Sequence, residues 1–229
     1  MKRLLSKLTA KQLQQRSTKH IFMRTGEALG FVYFGNVSQH DDEHTLIRGH
    51  TLSSSHRDKH YMVGSLYGYD MAFVERNDTI VHPNKPKSSH SWTILQIDLH
   101  SSAEIPHIYI GLKEHNETFR ARFATTFPTL HDMTDEIYPT SPVHSDRYGV
   151  YVRPADVVDT RKLIDEQTWA QIVHHFGHLT IELVDSQLYI YSEHRRITKA
   201  LLETMIKNGV WLARHIDERL TLLHHPQSQ

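Results

Sequence analysis

Cysteine is absent from all 229 residues. Disulfides, thiol catalysis, iron–sulfur clusters and cysteine-ligated zinc are thereby excluded, and the composition fits a reducing cytoplasm. An excess of either charge is also lacking: 26 Lys and Arg balance 26 Asp and Glu. No global field therefore draws in nucleic acid or acidic substrates. No apolar run approaches the roughly 20 residues that a membrane-spanning helix needs. The basic first residues are not followed by the apolar stretch of a secretory signal, so a cytoplasmic location is expected. The nucleotide-binding signatures G-x-G-x-x-G and G-x-x-x-x-G-K-[ST] are missing. So is G-x-S-x-G: in Gly64-Ser65-Leu66-Tyr67-Gly68 the serine comes one position early.

What is present suits a folded chain. Hydrophobic residues make up 38% and charged residues 23%, apolar enough for a core. Residues 1–20 hold Lys2, Arg3, Lys7, Lys11, Arg16 and Lys19 and no acid, which leaves 20 basic against 26 acidic residues in the rest. The segment reads as a basic amphipathic helix, with a capping box at Thr9-Ala10-Lys11-Gln12 and a leucine stripe. Lys2, Arg3, Leu4, Leu5, Lys7, Leu8 and Lys11 form its contact element, suited to an anionic membrane surface or an unidentified protein partner. The competing reading is a solvated helix resting on its own acidic body.

Residues 21–229 read as one α+β domain. An antiparallel sheet built from hairpins is packed by helices and closed by a long C-terminal helix. Tyr61 to Val74 spells a hairpin that turns at Tyr67-Gly68, and residues 179–192 spell a second that turns at Asp185-Ser186. Leu95, Ile97 and Leu99 alternate with Gln96 and Asp98, as in a half-buried strand. His107 to Gly111 reads as its hairpin partner, and 82–89 as a loop. Phe119, Phe123 and Phe127 share a helical face. Asp165 caps a helix that Gly177 ends. Leucines and isoleucines from 201 to 223 mark the closing helix, with Asn208-Gly209 a place to kink. Two hairpin-plus-helix halves, divided near 131–147, suggest a duplication.

Histidine is the abundant residue, with 20 copies. His174 and His178 have metal-binding i, i+4 spacing, but Gly177 interrupts the helix between them. His40-Asp41-Asp42-Glu43-His44 is the better candidate, in which His40 and His44 would hold zinc or another divalent metal with distant ligands. That reading makes the chain a metal-dependent hydrolase; without it, no cofactor is expected. Asp70, Glu75, Asp98 and Glu182 fall in or beside strands and read as acids on a wet face, although any two could meet across the sheet as an acid/base couple. Tyr67, Tyr69, Tyr109, Tyr189 and Tyr191 also fall in strands, where they pair across the sheet or stack single-stranded bases. The neutral charge argues against nucleic acid. Trp211 and Leu212 either form a homodimer surface or close the monomer's core.

YGYDMAFVERND, with LYIYSEHRRITKALLETMIKNGVWLA, resembles uncharacterised bacterial proteins that join a Gly-Tyr hairpin to a late Leu-Tyr-x-Tyr strand and a closing helix. The resemblance is patchy from about residue 60 onward and implies no catalytic residues. The balance of these readings is a non-catalytic binding or scaffold protein, peripheral to the membrane.

Overall fold

The computed structural model describes residues 2–37, 56–82, 85–101, 103–113, 123–139, 147–193 and 196–224. Residues 123–126 form a helical turn and Pro154–Asp156 a 3-10 turn; the other helices among the described residues are α1 (Lys2–Leu29), α2 (Thr134–Ile137), α3 (Val157–Leu163), α4 (Glu166–His175) and α5 (Lys199–His224). The strands are β1 (Val32–Val37), β2 (His56–Leu66), β3 (Tyr69–His82), β4 (Lys85–Asp98), β5 (Ile108–Leu112), β6 (His131–Asp132), β7 (Tyr148–Val152), β8 (Thr180–Val184) and β9 (Gln187–Glu193). All nine join one antiparallel sheet in the order β1-β2-β3-β4-β9-β8-β5-β7-β6. The expected α+β class and the long C-terminal helix are both there.

Two hairpins turn where the sequence places them. Tyr67 and Gly68 have φ of 55° and 89°, and Asp185 and Ser186 have 51° and 59°. Positive φ at both central residues is the two-residue turn whose twist matches the flanking strands. The second turn contains no glycine, and the Leu99 N–H donates to Ser186 O at 3.0 Å to hold it.

The third expected hairpin does not form. β4 pairs with β3 and β9, whereas β5 pairs with β7 and β8. The β8–β9 hairpin is thus inserted between β4 and β5, and strands from both sides of 131–147 interleave in one sheet. Moving across two intervening strands takes about 14 Å at strand spacing. Residues 99–107 can reach about twice that. Of the loop expected at 82–89, His82 and residues 85–89 are strand, and 83 and 84 lie outside the described residues. β3 and β4 stay paired out to His82 and Lys85, with a register shift between Ile80 and His82. Pro86 falls in that irregular stretch, where a missing N–H is tolerated.

Strand alternation gives the sheet two buried faces. On the first, Leu95, Ile97, Ile181 and Ile190 join Trp169 of α4 and Met205, Leu212 and Ile216 of α5 in one cluster. On the second, Trp92, Ile94, Tyr109, Tyr189 and Tyr191 pack with Phe123. The strand around Gln96 is therefore covered on both sides. Gln96 is buried and donates to Gln187 Oε1 at 2.7 Å, while Asp98 alone reaches solvent.

Asn208-Gly209 does not interrupt α5, which runs unbroken. A Cβ at Gly209 would stand 2.7 Å from Ile97 Cδ1, so the glycine lets α5 approach the sheet. Asn208 Nδ2 donates to His175 O at 3.0 Å, satisfying a carbonyl at the end of α4. At the start of α4, Asp165 accepts the Thr168 N–H at 2.8 Å, as expected of a cap.

α1 extends nine residues beyond the expected 1–20, and the Thr9 capping box falls inside it. Phe22 and Thr25 are buried, with Ile21 and Leu29 against the first-face cluster. Gly26 lies beside Phe31 and Met62.

Candidate functional site

Four of the described histidines pair with carboxylates. His60 Nε2 lies 3.4 Å from Glu75, His90 Nδ1 2.8 Å from Glu193, and His107 Nε2 2.7 Å from Glu182. His100 Nδ1 lies 3.7 Å from Asp217. His60 also hydrogen-bonds the Tyr33 hydroxyl at 2.8 Å and stacks on Phe22 at 5.2 Å, tying α1, β1, β2 and β3 together. Burial lowers the His60 pKa, partly offset by Glu75. The Glu193 hydrogen bond raises that of His90. His174, His175 and His178 are exposed. Among the described residues, no group of three or more His, Asp and Glu could hold a metal. His40 and His44 lie outside the described residues.

Glu182 corrects the wet-face reading. It is 2% exposed and bridges His107 and the Tyr191 hydroxyl on the second face. Three strands across the sheet, on β3, the Arg76 guanidinium donates to both Asp58 oxygens, at 2.9 and 2.8 Å, with Arg76 1% and Asp58 8% exposed. The signal was available: Arg76 shares strand parity with Ala72 and Val74. Glu75 faces His60, Asp70 accepts from Ser65, and Asp98 accepts from Gln96. These acids do not form the acid/base couple that two strand carboxylates could have made. Tyr109, Tyr189 and Tyr191 are buried and offer no stacking platform.

Two adjoining grooves flank α5. In the larger, about 980 Å³, Asp217 accepts the Tyr69 hydroxyl at 2.9 Å and the His100 and Ser101 N–H groups at 3.3 and 3.2 Å. The Tyr69 and His100 rings stack at 4.3 Å. Burial, and then the Asp217 hydrogen bond, drive the Tyr69 pKa far above its ordinary value, so the phenol stays protonated. With three donors on it, Asp217 clasps α5 to the start of β3 and the residues just after β4.

The smaller groove, about 590 Å³, has a floor of Leu29, Leu66, Ile206, Val210 and Trp211. Tyr67 forms one wall, with the Arg214 guanidinium 5.7 Å above its ring. Trp211 packs edge-on to Phe176 and stacks on His215. Leu212 is fully buried in the core, so only Trp211 of that pair reaches the surface.

Lys2, Arg3, Leu4, Leu5, Lys7, Leu8 and Lys11 fall within α1 by backbone; their side chains are outside the described residues. Phe22 follows Lys2 by 20 positions, about 30 Å along a helix axis. No helix among the described residues is long and apolar enough to cross a membrane.

These features define an α+β protein with one antiparallel sheet buried on both faces. No protein-family model matches the chain, and no curated protein does. Among solved structures it is similar to the crystal structure of the mycobacterial trehalose monomycolate transport factor A, TtfA. The TM-score is 0.57 at 9% identity, over 90% of this chain and 95% of that one. At that identity the likeness is one of fold alone.

Proposed function

We propose that the chain is a non-catalytic binding protein that docks on the anionic cytoplasmic face of a membrane through the basic turns of α1. One observation carries this reading: α1 is a single helix from Lys2 to Leu29 whose last turns are anchored by Phe22 and Thr25. The six cations of residues 1–20 are thus joined without a hinge to the folded body. Each cation near an anionic surface contributes about 1 kcal/mol, and the effect fades within a Debye length. The fold shared with a protein named a transport factor is in keeping with a binding role.

Vesicle co-sedimentation tests it. The full chain should bind phosphatidylserine-containing vesicles at low salt and lose binding as salt rises. Deleting residues 1–15 keeps the Phe22 anchor, so the thermal transition should persist while binding disappears. Undiminished binding by the truncated chain overturns the proposal.

A further inference from the structure

The smaller groove carries an arrangement of charge that α1 does not explain. Along α5, Glu203, Lys207, Arg214 and Glu218 line it beside the central Val210 and Trp211. Spacings of four, seven and four residues keep them on one side of the helix. Glu203 to Glu218 spans 15 positions, about 22 Å. The order is negative, positive, apolar, positive, negative, and Glu203, Lys207, Arg214 and Glu218 are all exposed. Glu203 also meets Lys199 at 3.3 Å, an exposed pair within the helix.

This order selects among occupants. A second copy laid antiparallel across a two-fold axis between Val210 and Trp211 would set Glu203 against the copy's Glu218 and Lys207 against its Arg214. Like charges would meet at every position, which disfavours self-pairing. An acyl chain would cover the apolar floor and make no use of the charged rim. A helix of the opposite charge order satisfies both floor and rim.

We infer that this groove takes an amphipathic helix of a partner protein, with acidic residues flanking its central apolar anchors and basic residues toward its ends. The apolar anchors seat on Trp211 and Val210. The acids meet Lys207 and Arg214, and the bases meet Glu203 and Glu218. This interaction is separate from membrane docking and stands or falls without it.

The chain carries its own probe. Of its three tryptophans, Trp92 is 3% and Trp169 0% exposed, against 38% for Trp211. Acrylamide quenching of the native protein therefore reads Trp211. Two synthetic helices of about 18 residues would be compared, one with glutamates flanking central leucines and lysines near its ends, the other with those charges exchanged. The acid-centred peptide should bind at least tenfold more tightly and shield Trp211 from quencher. Combining Lys207→Glu with Arg214→Glu, both at exposed positions, should abolish the preference, because each peptide then meets two opposite and two like charges. Equal binding of the two peptides to the native chain, or no shielding by either, overturns the inference. So does sedimentation of the chain alone as a dimer with Trp211 already shielded, or shielding by zwitterionic vesicles instead of peptide. The comparison of the two peptides needs no variant, so a misfolded double mutant leaves it decisive.

Discussion

One sheet buries its two faces by different chemistry. The first face is aliphatic and covered by helices: Leu95, Ile97, Ile181 and Ile190 lie beneath α4 and α5. The second is aromatic and charged. Tyr109, Tyr189, Tyr191 and Trp92 share it with the Arg76–Asp58 fork and the Glu182 bridge. Adjacent residues in one strand therefore live under different rules. At Leu95 stability follows packed volume, since a deleted methylene leaves a cavity. At Arg76 it depends on whether each buried charge keeps its partner.

The largest expected effect breaks the second face. Arg76→Met removes the guanidinium fork from the Asp58 carboxylate and the positive charge facing buried Asp78, and should cost about 3–5 kcal/mol in urea unfolding. Adding Asp58→Leu should restore part of that loss, because one of the desolvated charges facing Arg76 is gone while Asp78 remains. If the double variant is as unstable as Arg76→Met alone, the fork is not what governs this face.

A smaller effect tests the first face. Gly209→Ala puts a Cβ 2.7 Å from Ile97 Cδ1. It should destabilise by about 1–3 kcal/mol, despite alanine's better helix propensity. Ile97→Val deletes the clashing carbon, so the double variant should be more stable than the sum of the single changes predicts. Simple additivity in chemical denaturation would show that the close approach is unimportant.

The smallest effect sharpens the contrast through pH. His60, stacked on first-face Phe22, has a lowered folded pKa. Its contribution is full above about pH 6.5 and is lost as pH falls through the window below that value. His90, bound to Glu193, has a raised folded pKa. Its contribution is full below about pH 6.5 and is lost as pH rises through the folded pKa. Denaturation midpoints at pH 5.5 and 8.5 should show His60→Gln costing less at the acid end and His90→Gln costing more there. The same pH response from both variants would contradict the assignment.

Local order was legible wherever neighbours in sequence decide it. The turns at Tyr67-Gly68 and Asp185-Ser186, the Asp165 cap and the periodicity of α5 all read directly. The charged second face was hidden because alternation states that Glu182 and Leu183 point opposite ways, not that both directions are dry. The β8–β9 insertion was hidden because a strand's own residues do not name its neighbour. The histidine–carboxylate pairs were hidden because partners such as His107 and Glu182 stand 75 positions apart and meet only across paired strands.

The sequence by itself determined the periodicity of α5, the Asp165 cap, the two tight turns, the absence of cysteine chemistry and the basic charge of α1. Each depends on composition or on residues within a few positions of one another. Only the tertiary structure decided the strand order, the burial of Arg76 and Glu182, the role of Gly209 as a seat for α5, and the groove beside Trp211. Each of those depends on which distant segment arrives opposite, and that is set by the packing of the whole sheet.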